Sequence, residues 1–242
     1  MASPRYLLLQ IRNNDDDMRQ QEVECFCRIL DCTPGQITVH NLLDGAPPAA
    51  TLDLANIVLL GGSGDYSAAG EGRWLDRALD VLRQLHEISK PTFASCWGFQ
   101  AMARAMGGRV IHDLHRAELG TLEISRTRAA LEDPIFRSMP GSFLAQMGHE
   151  DLVEELPSDA IHLAFSERVT NQAFRFVDRP IYCTQFHPEL DLRGLLERVQ
   201  AYPKYIKKIL GKSHDEFAKE CQETPEANEL LRQFVKHVLL EW

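Results

Sequence analysis

Basic residues are in short supply: 26 Lys and Arg against 35 Asp and Glu leave a formal charge of −9 at pH 7. No lysine- or arginine-rich run breaks that balance, so duplex nucleic acid and anionic membrane are poor partners. Long apolar runs are missing too. The opening stretch MASPRYLLLQIRNNDDD holds only Tyr6–Leu9 and Ile11 before acids arrive. That is shorter than the core of a signal peptide and far short of a spanning helix. Six cysteines (Cys25, Cys27, Cys32, Cys96, Cys183 and Cys221) are too few to staple 242 residues, and a chain this long buries a core without staples. Repeats, low-complexity tracts and breaks in composition are absent as well. These absences predict an acidic, reduced, cytoplasmic globular protein and leave its chemistry open.

What is present is an alternation of apolar strands and amphipathic helices. Tyr6–Ile11 reads as a buried strand, and Asp15, Asp16 and Asp17 suit a helix start. Val23, Phe26, Cys27 and Leu30 then recur at helical spacing, up to a stop at Pro34-Gly35. Strands are predicted over 37–41, 57–60 and 91–95, with a loop over 46–50 and helices over 74–88 and 100–106. Residues 110–146 look strand-rich, three strands follow over 161–165, 173–177 and 181–186, and helices over 191–210 and 224–240 end the chain. The pattern predicts an α/β fold with a doubly wound, mostly parallel sheet covered by helices on both faces.

One junction carries chemistry. In Thr92-Phe93-Ala94-Ser95-Cys96-Trp97-Gly98-Phe99-Gln100 a buried strand runs through small residues into cysteine and then a helix. A side chain at such a turn stands at the mouth of the sheet, and a helix N-terminus suits a negatively charged sulfur. Taken alone, Cys96 fits a packed thiol as well as a nucleophile. A nucleophile needs a base, and His187 lies just past an apolar strand in Phe186-His187-Pro188-Glu189. In extended backbone, residues two apart share a face, so Glu189 can orient His187. Pro188 favours the extended conformation at His187 that this requires.

Other groupings are weaker. His112-Asp113-Leu114-His115 lacks the partners of a zinc site, and Cys25-x-Cys27-x4-Cys32 reads as helix core and helix end. Gly61-Gly62-Ser63-Gly64 lacks the lysine and the spacing of a phosphate loop. Neither a metal nor a cofactor is expected. Tyr202, Lys204, Tyr205, Lys207 and Lys208 read as a hydrated helix face.

Taken together, these segments resemble the class I glutamine amidotransferase family, with its flavodoxin-like fold. They are most similar to the amidotransferase domain of GMP synthase and its stand-alone relatives. Ala94–Gln100 matches the family's G-x-C-x-G-x-Q elbow, and Phe186–Glu189 its F-H-P-E signature. Gly61–Asp65, Arg116–Gly120 and Met147–Val153 with Leu156-Pro157 match further landmarks in order. The departures are Ala94 for glycine, Ser63 for proline, Gly148 for serine and Cys183 for glycine.

The resemblance implies a catalytic triad with Cys96 as nucleophile, His187 as base and Glu189 as its orienter. It implies an oxyanion hole from Gly62 and Trp97, and substrate contacts from Gly64, Gln100, Gly148 and His149. Residues 1–190 would form the amidotransferase-like domain, with 191–242 a helical extension packed on it. The stretch after Glu189 is too short for a synthetase half. The leading expectation is therefore a glutaminase-type hydrolase that releases ammonia from glutamine, with a separate ammonia-acceptor synthetase as partner. A γ-glutamyl peptide or conjugate hydrolase using the same triad is the alternative, and a non-catalytic regulatory protein on this fold the second.

Overall fold

A computed structural model gives the structure of residues 3–241. The outer limits of the two expected segments, residues 1, 2 and 242, lie outside the described residues. The amino-terminal half alternates β1 (Tyr6–Gln10), α1 (Met18–Leu30), β2 (Ile37–Asn41), α2 (Ala49–Leu54), β3 (Ile57–Leu60), α3 (Arg73–Glu87), β4 (Thr92–Ser95) and α4 (Trp97–Ala105). It continues through β5 (Arg109–His112), β6 (Glu118–Arg126), β7 (Ser142–His149), β8 (Asp151–Glu155), β9 (Ala160–Phe165), β10 (Ala173–Phe176) and β11 (Ile181–Thr184). Four helices follow: α5 (Leu192–Ala201), α6 (Pro203–Ile209), α7 (His214–Glu220) and α8 (Pro225–Glu241).

Nine strands make one sheet in the order β2-β1-β3-β4-β11-β10-β9-β6-β7, while β5 and β8 form a separate pair. The run from β2 to β11 is parallel. From β11 outward the pairs are antiparallel. The mostly parallel, two-faced sheet expected from the sequence is the heart of the molecule, and the strand-rich middle of the chain extends its edge.

Side chains of β1 alternate between two cores. Tyr6 and Leu8 join Phe26 of α1 and Phe234 of α8 on one face. Leu7 and Leu9 join Leu82 of α3 and Phe99 of α4 on the other. Both faces are dry, which is why the parallel strands read as unbroken apolar runs. In α8, Leu230, Leu231 and Phe234 are fully buried. At roughly 1.5–3 kcal/mol per large apolar side chain, this helix is part of the core.

Three local expectations are corrected. The loop over 46–50 gives way at Ala49, which opens α2 behind Pro48. The single helix over 191–210 is two, divided at Tyr202-Pro203. Proline cannot donate the next helical hydrogen bond but fits the first position of a new helix, where it stands in α6. Helix α7 has no counterpart among the expected elements; a capping box between Ser213 and Glu216 starts it. Among the described residues no helix is long and apolar enough to cross a membrane.

Candidate active site

The parallel strands β3, β4 and β11 end side by side, and the candidate residues sit where they stop. Cys96 occupies the one-residue turn between β4 and α4, with φ 51° and ψ −104°. A non-glycine residue rarely takes that conformation, and such strain persists only where the surroundings impose it. They do so here. The Cys96 N–H donates to Thr184 O of β11 at 2.8 Å, and the Gly98 N–H donates to Gly61 O at 3.2 Å. Gly98 must be glycine for this approach: a Cβ there would stand 2.6 Å from Leu60 Cβ and 3.2 Å from Ala94 Cβ. The methyl of Ala94, the departure from the family pattern, is accommodated in the core beneath the turn. Helix α4 begins at Trp97, three residues earlier than the sequence suggested. The Trp97 N–H is therefore the first of the helix, without an intrahelical acceptor.

His187 and Glu189 follow β11 and come back onto the elbow. His187 Nδ1 and Glu189 Oε1 are 2.6 Å apart, with both side chains buried. Burial opposes charge on the ring, but Glu189 and then Cys96 outweigh it and push the His187 pKa up to about 9. Burial also opposes the Glu189 carboxylate, which His187 and then Arg198 nevertheless hold below the usual range. The Cys96 thiol donates toward Gly148 O at 3.7 Å. Gly62 closes the group: a Cβ there would lie 3.0 Å from His187 Cε1 and 3.7 Å from Cys96 Sγ. Gly62, the adjacent Cys96 and Trp97, and the neighbouring His187 and Glu189, three stretches far apart in the sequence, thus converge.

A cleft of about 620 Å³ opens from Cys96 to solvent. Gly64, Gln100, Gly148 and His149 all line it. Gln100 spends its amide N–H groups inside the protein, on Asp151 O at 2.8 Å and Gln185 Oε1 at 3.0 Å. Both ring nitrogens of His149 are engaged as well, with Asp151 O at 2.9 Å and Glu118 Oε2 at 3.0 Å. These two residues therefore hold the wall through their hydrogen bonds. Among the described residues no group of three His, Cys, Asp or Glu side chains is arranged to hold a metal ion.

The carboxy-terminal segment supplies what the sequence did not disclose. Tyr202 and Tyr205, expected on a hydrated face, instead line the cleft opposite Ser63 and Gly64, with Lys204 and Lys208 at its rim. The Tyr202 hydroxyl is clasped between Asp16 Oδ2 at 2.8 Å and Arg12 Nη1 at 3.1 Å. Its ring lies so close to the glycine loop that a Cβ on Gly64 would stand 2.6 Å from Tyr202 Cζ. Arg198 of α5 reaches the same Glu189 oxygen, Oε1, that His187 holds. Neither contact leaves a sequence signal, because each depends on how α5 and α6 dock. The other cysteines pack: Cys183 is buried and its thiol pKa is raised well above the ordinary value, while burial pushes Cys25 up to about 11.

Known proteins resemble this chain in sequence and in fold. The sequence model of the family Glutamine amidotransferase class-I matches residues 20–195. The chain is 29% identical over 243 residues to gamma-glutamyl peptidase 4 of Arabidopsis thaliana, covering 97% of this chain and 93% of that one. It is 31% identical over 139 residues to a glutamine-hydrolyzing GMP synthase subunit of Picrophilus torridus, covering 57% of this chain and 69% of that one. A glutamine amidotransferase from Thermotoga maritima superimposes with a TM-score of 0.78 at 19% identity, covering 98% of this chain and 99% of that structure. At that identity the superposition speaks for the fold.

Proposed function

This chain belongs to the class-I glutamine amidotransferase family, and from that premise we propose that it is a cysteine hydrolase cleaving γ-glutamyl amides through a thioester on Cys96. The observation that carries the reading is Cys96 lining an open cleft, with His187 beside it and Glu189 buried behind His187. In the first step His187 holds the Cys96 proton as imidazolium, and the thiolate attacks the γ-carbonyl carbon. A C–S bond forms and the carbonyl electron pair moves onto oxygen. The N–H groups of Trp97 and Gly62 stabilise that oxyanion, a role fixed donors fill well because they need no reorganisation. The imidazolium of His187 passes its proton to the departing nitrogen, and the C–N bond breaks. His187 then takes a proton from water, the hydroxide adds to the thioester, and the C–S bond breaks to release glutamate.

The cleft supports a substrate larger than glutamine. Its volume, about 620 Å³, lies within the range of pockets that enclose drug-sized ligands, and a single amino acid would leave much of it empty. Gly64, Gly148 and the wall held by Gln100 and His149 would receive the γ-glutamyl group. Tyr205, Lys204 and Lys208 would face whatever lies beyond the scissile amide. The end-to-end match to gamma-glutamyl peptidase 4 supports the same substrate class.

A substrate panel on the purified chain tests this. Release of the free amino acid from a γ-glutamyl dipeptide is expected to exceed ammonia release from glutamine by about tenfold or more in kcat/KM, the size of one well-used subsite contact. Faster turnover of glutamine would instead support a glutaminase that supplies ammonia to a separate synthetase. Turnover of neither would support a non-catalytic role.

A further inference from the structure

Arg198 lies on α5, beyond residues 20–195 that the family model matches, yet it touches the innermost part of the site. Its Nη1 stands 3.5 Å from Glu189 Oε1 and 3.4 Å from His187 Nδ1. The rest of the guanidinium is fixed from behind. Nε and Nη2 both donate to Gln21 Oε1, at 3.3 and 3.0 Å, and Gln21 donates in turn to Gly194 O at 2.9 Å. A buried arginine of α5, held from behind by Gln21 of α1 that is itself anchored on α5, is a built feature.

We propose that Arg198 is a positioning residue of the triad, whose charge keeps Glu189 ionised and oriented during the steps in which His187 is neutral. This rests on the hydrolase reading above. In the resting ion pair the imidazolium balances Glu189. Once the ring has given its proton to the leaving nitrogen, that balance is gone. Glu189 is fully buried, and its Oε2 has no hydrogen-bond partner. A carboxylate in that position would be driven to take up a proton, unless a second cation stands beside it. The other groups around the pair do not supply one. Cys96 faces His187 from the elbow, Cys25 of α1 is a buried thiol, Asp191 is paired with Arg28, and Arg12 is paired with Glu22. Arg198 also stands against the ring nitrogen that already donates to Glu189, so its charge favours release of the imidazolium proton toward substrate.

The test compares Arg198→Gln, Arg198→Lys and Gln21→Leu with the wild type, using the 4-nitroanilide of γ-glutamate across the pH range. Cys96→Ala is run alongside as the check on the hydrolase reading itself. For Arg198→Gln we expect kcat to fall about tenfold with KM little changed, the scale of one charge-assisted contact. Its acidic limb should move to higher pH, because Glu189 loses the cation that holds it ionised. Arg198→Lys should restore the limb and part of kcat, and Gln21→Leu should reproduce a smaller loss in the same direction. A wild-type pH profile in Arg198→Gln would overturn the proposal, as would a loss confined to KM. Equal losses in the Gln and Lys variants would do the same, since they would mark Arg198 as packing. Activity surviving in Cys96→Ala would overturn the hydrolase reading instead.

Discussion

Cys96→Ala is expected to lower kcat/KM for a γ-glutamyl anilide by about four orders of magnitude or more, with no change in fold or thermal midpoint. The size follows from what is lost: without sulfur no thioester forms, and only the oxyanion donors and substrate binding remain. The unchanged fold follows from the local geometry. Alanine keeps the Cβ of Cys96 and the backbone hydrogen bonds that hold the elbow, to Thr184 O from residue 96 and to Gly61 O from Gly98. The sulfur reaches Gly148 O only weakly, at 3.7 Å, and otherwise faces His187, so its loss removes no packing that the elbow depends on. Relief of φ 51° is not at issue, because alanine dislikes that region as much as cysteine does. Steady-state hydrolysis together with a melting curve checks both halves of the expectation. Loss of activity with a collapsed melting curve would assign Cys96 to folding instead.

Glu189→Gln is expected to cost about 10³- to 10⁴-fold in kcat while leaving the cleft intact. Glu189 accepts from His187 Nδ1 at 2.6 Å, which leaves Nε2 for the chemistry. A glutamine can turn its amide nitrogen to the ring and hold the opposite tautomer, with the proton on the wrong side. The pH profile adds a second reading of the same variant. Glu189 and Cys96 raise the His187 pKa against the effect of burial, to about 9, so the wild-type ring keeps its proton until the pH climbs through that value. The alkaline limb of kcat/KM is therefore expected near pH 9 in the wild type. It should fall to lower pH in Glu189→Gln, where burial is opposed by one partner fewer. An unmoved limb would mean that another group titrates there.

The residues of this site were unequally visible in the sequence. Ala94–Gln100 could be read because the strand-to-helix turn, its cysteine and the glycine two residues on are contiguous, and each obeys a local steric rule. His187 and Glu189 could be read because an extended backbone fixes the relation of residues two apart. The parallel strands were legible for a similar reason: buried on both faces, Tyr6–Gln10 and Ile57–Leu60 are apolar almost throughout. Arg198, Tyr202 and Tyr205 were not legible. Their periodicity describes an ordinary amphipathic helix pair, and what each side chain meets is decided by the docking of α5 on α1 and of α6 across the cleft. The clasp of Tyr202 by Arg12 and Asp16 joins residues about 190 positions apart, with no local pattern to announce it. The division at Pro203 had a local signal, since proline interrupts a helix, but the apolar spacing over 191–210 continues across it and reads as one helix. The order of the antiparallel edge strands was not, because it depends on long-range pairing.

Every step proposed for this site requires Cys96 to carry the γ-glutamyl group. The direct measurement is rapid acid quenching of the wild type during turnover of a γ-glutamyl anilide, followed by mass spectrometry of its cysteine peptides. The predicted result is a glutamyl adduct on the peptide containing Cys96, released by hydroxylamine and absent from Cys96→Ala. Turnover without any adduct at Cys96, or an adduct on another of the six cysteines that survives in Cys96→Ala, would contradict it.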